Sequence, residues 1–106
     1  MARDQAPTLV LLVRHGRTPT TGKVLPGRAA GLHLAESGVA EAQRAAQRIA
    51  EIGTVAGVYA SPLERARETA APISKATKRT THIHKGLLEC DFGDWTGAEL
   101  KKLMKL

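Results

Sequence analysis

Residues 8–14 read TLVLLVR, an unbroken apolar run that stops at an arginine and is followed at once by His15 and Gly16. Continuous leucine and valine without alternation predict a strand covered on both faces, as in a parallel sheet. The segments downstream fit that expectation. Residues 18–31, TPTTGKVLPGRAAG, carry prolines and glycines throughout and read as a loop. In residues 34–53 the side chains of Val39, Ala42, Ala46, Ile49 and Gly53 fall on one helical face, with Glu41, Arg44 and Arg48 elsewhere, and Gly53 suits a C-terminal stop. TVAGVYAS (54–61) is a second short strand. SPLE (61–64) has the form of a capping box, with Ser61 as cap, Pro62 at the first helical position and Glu64 reaching back. The helix that follows is expected to be disturbed at its end by Pro72. RTTHIHKG (79–86) is a third strand, and TGAE (96–99) a second capping box opening a helix through ELKKLMKL. Strands alternating with helices predict an α/β chain with a mostly parallel sheet and helices on both faces, in three layers.

Composition narrows the class of partner. Hydrophobic residues are 42% and charged residues 25% of 106, too apolar for a disordered chain, and with 3% aromatic the core must be aliphatic and alanine-rich. The net charge of +6 favours anionic partners, phosphate esters among them, although a solvated basic surface accounts for it equally. No aromatic platform is interleaved with the basic residues, which argues against nucleic acid. The apolar run at residues 9–13 is far too short to span a bilayer, and residues 1–8 lack a signal core, so no membrane association is expected. Cys90 stands alone, which excludes an internal disulfide and points to the cytoplasm.

Ligands of open α/β sheets bind beyond the carboxyl ends of the strands. Arg14, His15 and Gly16 fall there. Arginine offers a planar fork of donors to a phosphate, neutral histidine is a competent nucleophile, and glycine admits close approach of the backbone. A strand that merely ends in polar surface residues fits those three residues as well. The second strand ends in the same way, with Ser61 at the turn and Arg65 and Arg67 on the next helix. Two residues apart on a helix, these arginines diverge, so one of them faces solvent. Glu89 follows two leucines and precedes Phe92 and Trp95. A carboxyl desolvated by such neighbours favours the protonated form that a leaving oxygen needs, whereas taken alone Glu89 reads as an ordinary loop acid. His82 and His84 share a strand face but have no third metal ligand in sight. Cys90 reads as a buried structural thiol, and Leu100, Leu103 and Met104 as core positions.

LVRHGRT (12–18), SPLERARETA (61–70) and LECDFGDWTG (88–97), in this order and spacing, resemble the histidine phosphatase superfamily, the phosphoglycerate mutase-like proteins. The resemblance covers residues 9–100. It implies His15 as a transiently phosphorylated nucleophile, Arg14 and Arg65 as phosphate clamps with Gly16 and Thr21 beside them, and Glu89 as the acid that protonates the leaving group and then activates water. It implies no cofactor and no metal. Three departures are visible. Arg17 replaces an acid or amide; Thr21 stands where mutases carry asparagine; and the later Ser/Thr-His-Gly motif that supplies a second catalytic histidine is absent. Thr21 leans the reading towards phosphoester hydrolysis of a small phosphorylated substrate, with mutase-type transfer or non-catalytic phosphate binding as alternatives. Residues 1–106 are therefore expected to be the N-terminal portion of a single such domain. Sheet edges left unpaired by that truncation would favour homo-oligomers.

Overall fold

A computed structural model describes residues 7–105. Its order is α1 (Glu36–Ile52), β1 (Val58–Ala60), α2 (Glu64–Thr77), β2 (Thr81–Ile83) and α3 (Leu100–Leu103), with 3-10 turns at Lys85–Leu87 and Gly93–Trp95. The two strands pair in parallel, Tyr59 opposite His82, and α2 is the crossover between them. Val58 and Ala60 point to one face of β1, where both long helices meet them. Ala46 and Ile49 of α1, Ala70 and Ile73 of α2 and these two strand residues form the core, with Val55 packed at its margin. It is aliphatic and alanine-rich, as the composition requires. Tyr59 points the other way, is exposed, and stacks on His82 at 5.4 Å between ring centroids.

The helix α1 follows its apolar stripe closely. Its buried residues are Gly38, Ala42, Ala46 and Ile49, and Gly53 ends it at φ 148°. Val39, expected on the same face, is exposed. α2 departs from expectation at both ends. It begins at Glu64 after an extended Leu63, and no side chain caps it. Ser61 instead accepts a long 3.4 Å hydrogen bond from the Leu63 N–H, so the expected capping box does not form. Pro72 lies inside the helix, which runs on to Thr77. An interior proline costs about 3 kcal/mol, and the burial of Thr69, Ala70 and Ile73 on either side of it offsets that cost. Lys78 then turns left-handed at φ 58°, and its N–H and that of Arg79 both donate to Ser74 O.

The first predicted strand is the main correction. Residues 9–13 form no strand ladder, and their side chains are exposed, Leu12 by 93% and Leu9 by 74%. An apolar strand is buried only when neighbouring strands flank it, and no described segment hydrogen-bonds to this one as a ladder. The run reads as a two-sided buried strand because its side chains suit that place. It borders a broad trough that β1 also lines.

The third motif is held differently from expectation too. Residues 96–99 do not make a capping box; Val24 and Glu99 form an antiparallel bridge, flanked by Leu25 N–H to Ala98 O, Gly97 N–H to Leu25 O and Leu100 N–H to Lys23 O. α3 is one turn, Met104 is exposed, and Leu100 and Leu103 are half-buried. No described helix is long and apolar enough to cross a membrane.

Candidate active site

The turn after the apolar run is gripped by both long helices. Gly16 packs directly on Gly38 in the first turns of α1: a methyl group on Gly16 would collide with the Gly38 carbonyl, and one on Gly38 with the Arg17 backbone. That contact brings α1 against the turn, where Glu41 accepts a 2.9 Å hydrogen bond from the Arg17 N–H. From the other side the buried Thr69 hydroxyl accepts from Gly16 N–H at 3.1 Å and donates to Arg65 O at 2.8 Å. Thr69 thus ties the first motif to the second. Within the turn, His15 Nδ1 lies 2.8 Å from Gly16 O. A carbonyl can only accept, so Nδ1 carries a proton, and in the neutral form of the ring Nε2 is the nitrogen with the lone pair.

Arg65 is the largest fully buried side chain, 2% exposed. Its guanidinium donates to Ala29 O at 3.1 Å and to Gly27 O at 2.5 Å, which uses two of its five N–H donors on the loop between the first motif and α1. Arg67 points outward and donates to Pro62 O, the divergence expected of residues two apart. The loop is in turn clamped by two acids of α2. Glu64 accepts from Gly31 N–H at 2.8 Å; Glu68 accepts from Leu34 N–H at 2.8 Å and from His33 Nδ1 at 2.6 Å.

This clamp titrates. The hydrogen bond that His33 donates to Glu68 raises the His33 pKa above its ordinary value, with Coulombic attraction adding to it. The Glu68 carboxyl is lowered chiefly by His33, then by the Leu34 N–H, and Glu64 by backbone N–H groups, its own and that of Gly31. A histidine raised in the folded state stabilises it fully below its unfolded pKa and loses that contribution as pH climbs through the folded value; lowered carboxylates contribute above their unfolded pKa and lose it on acidification. The clamp is therefore firmest between the ordinary carboxylate and histidine ranges. His33→Gln should flatten the alkaline side of a melting-temperature profile between about pH 6 and 8. The difference is small because the pair is exposed, and parallel profiles for the two proteins would count against it.

A trough of about 1280 Å³ collects the residues that the three motifs offered. Arg14, His15, Thr21, Arg65 and Glu89 all line it, together with His84. Gly16 lies behind, lining a smaller cavity of about 240 Å³ with Arg14, His15, Glu41 and Thr69. The half-buried Thr21 closes its own turn, its Oγ1 accepting from Thr18 N–H at 2.8 Å and sharing a hydrogen bond with the buried Thr18 hydroxyl. Glu89 differs from expectation: it is exposed, not shielded by its apolar neighbours, and its carboxylate accepts from Cys90 N–H. Arg28 Nε donates to the Glu89 carbonyl at 2.6 Å and so fixes the backbone beside that carboxylate. Cys90, expected to be buried, is exposed. His84 Nδ1 accepts from Gly86 N–H, and among the described residues no group of three or more His, Cys, Asp or Glu could hold a metal ion.

Residues 10–106 match the histidine phosphatase superfamily (branch 1). The chain belongs to that superfamily. The Mycobacterium tuberculosis protein Rv0525 is 48% identical to this histidine phosphatase chain over 67 residues, 63% of this chain and 33% of that protein. Among solved structures, the mycobacterial glucosyl-3-phosphoglycerate phosphatase Rv2419c superposes with a TM-score of 0.78 at 26% identity, over 86% of this chain and 42% of that one. A phosphoserine phosphatase from Entamoeba histolytica, solved with 3-phosphoglyceric acid, gives 0.71 at 33% identity, over 85% of this chain and 44% of that one. The chain thus spans a third of the curated relative and less than half of either solved structure.

Arg14, His15, Thr21, Arg65 and Glu89, which the sequence of this histidine phosphatase chain singles out, all line the trough, but the groups that hold them are not marked there. Thr69 and the carbonyls of Gly27 and Ala29 carry no sequence signal of this role, and Glu41 reads there only as a residue off the apolar face of α1. A threonine four residues after Arg65 and a glycine–glycine contact across 22 residues leave no local pattern to read. Glu41 carried one usable signal, since it lies three residues beyond Gly38 and so on the same helix face.

Proposed function

We propose that this chain carries out phosphoester hydrolysis through a phosphohistidine intermediate on a small phosphorylated substrate. The observation that carries the reading is the convergence of Arg14, His15, Thr21, Arg65 and Glu89 on one trough, with the His15 Nδ1 proton engaged by Gly16 O. In the first step Nε2 of His15 attacks phosphorus, the bond to the ester oxygen breaks, and Glu89 gives that oxygen its proton. In the second, water attacks the phosphohistidine, Glu89 takes up the water's proton, and the nitrogen–phosphorus bond breaks to release inorganic phosphate. Arg14 and the remaining Arg65 donors offset charge on the phosphoryl oxygens in both steps, so the protein itself supplies the electrostatics. The named structural neighbours are phosphatases of small phosphate monoesters, which supports that substrate class.

Glu89→Gln tests the acid role. Turnover of an ester with a poor leaving group should fall by about two orders of magnitude, and that of an activated aryl phosphate by only a few-fold, since such a leaving group departs without a proton. Equal losses on both substrates would remove Glu89 from this role. Steady-state release of inorganic phosphate from the two esters makes the comparison. It also separates hydrolysis from mutase-type transfer, in which the phosphate appears on an acceptor hydroxyl.

A further inference from the structure

The Gly16–Arg17 peptide unit is engaged at both ends. Its C=O accepts from His15 Nδ1 at 2.8 Å, and its N–H donates to Glu41 Oε1 at 2.9 Å. No cis peptide occurs among the described residues, so the two ends of this trans unit point in opposite directions, carboxylate on one side and imidazole on the other. A carboxylate on the N–H increases the negative charge on the carbonyl oxygen of the same amide, because chains of hydrogen bonds polarise one another. The preceding peptide is held separately, through Gly16 N–H to Thr69. Glu41 and His15 also line the same small cavity, on which Thr69 borders too. The placement of Glu41 follows from α1, whose Gly38 lets the helix approach the Arg17 backbone closely enough for the residue one turn later to reach the amide.

We propose that Glu41 is a positioning residue for His15: through the Gly16–Arg17 peptide it fixes the ring with its proton on Nδ1 and its lone pair on Nε2, facing the trough. The arrangement places one amide between carboxylate and imidazole, where many hydrolases use a direct carboxylate–histidine contact. Its consequence for turnover rests on the proposed role of His15; its effect on the ring does not.

The test reads the ring directly. Long-range ¹H–¹⁵N spectra of the imidazole, recorded at a pH where His15 is neutral, should show the Nδ1–H tautomer in the unsubstituted protein. Glu41→Ala should shift the His15 nitrogens towards a mixture of tautomers. Glu41→Gln, whose amide oxygen can still accept from Arg17 N–H, should restore the Nδ1–H form. Glu51→Gln, on the same helix and exposed, should leave the spectrum unchanged. In a phosphoester assay Glu41→Ala should lower kcat by roughly tenfold or more with KM little altered, and Glu41→Gln should recover part of that loss. A ring that carries its proton on Nε2, or an Nδ1–H signature unchanged in Glu41→Ala, would overturn the proposal. Intact, Glu41-dependent tautomer signals in a protein that shows no turnover would instead overturn the hydrolase reading and leave this one standing.

Discussion

His15→Ala is expected to lower phosphoester turnover by at least about three orders of magnitude, because the alternative is direct attack by water without a covalent intermediate. Stability should change little. The ring is half-buried, and among the described residues its hydrogen bond goes to the carbonyl of the adjacent glycine. Removing it takes that donor from the Gly16 carbonyl, a loss of about 1 kcal/mol, so the melting temperature should fall by no more than several degrees. Inorganic phosphate should still bind, since Arg14 and Arg65 remain at the trough. Turnover within tenfold of the starting value, in a protein that melts normally, would exclude His15 as nucleophile. Calorimetry and phosphate release on one preparation give both readings.

Arg65→Ala should have the largest effect on stability. The side chain is 2% exposed, and its guanidinium satisfies the carbonyls of Gly27 and Ala29, which have few other options once the loop is packed. Leaving two acceptors unpaired over a cavity the size of an arginine costs about 2–5 kcal/mol. For a chain of this size that is a fall in melting temperature of roughly 10–20 °C. Arg65→Lys separates the two functions of the side chain. A single ammonium can meet one carbonyl and keep much of the fold, but it lacks the planar fork that can serve the loop and an oxyanion at once. Its melting temperature should fall by less than half as much, while phosphate affinity falls about as far as in the alanine variant. Equal phosphate affinity in Arg65→Lys and the unsubstituted protein would show that Arg65 serves the loop alone.

The contrast between these two residues also explains what the sequence made legible. His15 and Arg65 lie in short motifs at fixed offsets, and their spacing marks them before any contact is known. The amphipathic face of α1 was legible for the same reason, since Ala42, Ala46 and Ile49 repeat at helical intervals and lie buried where that repeat puts them. Capping was read less well. Ser61 and Thr96 have the right chemistry for helix caps, yet the chain at Leu63 and Glu99 enters each helix in an extended conformation with no side-chain cap. Tertiary hydrogen bonds, from residues 23–25 in the second case, decide those entries. Pro72 illustrates the same override, with packing of Thr69, Ala70 and Ile73 carrying α2 past a residue that local preference would stop at. The run at residues 9–13 shows the opposite limit. Its composition states what surroundings it suits, and burial then depends on neighbours that no local pattern contains.

Chemical trapping of the intermediate tests the central claim most directly. The protein is mixed with a phosphoester labelled at phosphorus and quenched at alkaline pH, where phosphoramidates survive, and the labelled peptide is sequenced by mass spectrometry. The expected result is one phosphoryl group on the imidazole at position 15, absent after His15→Ala. Turnover without any phosphoryl-protein, or label confined to another residue, would contradict the account.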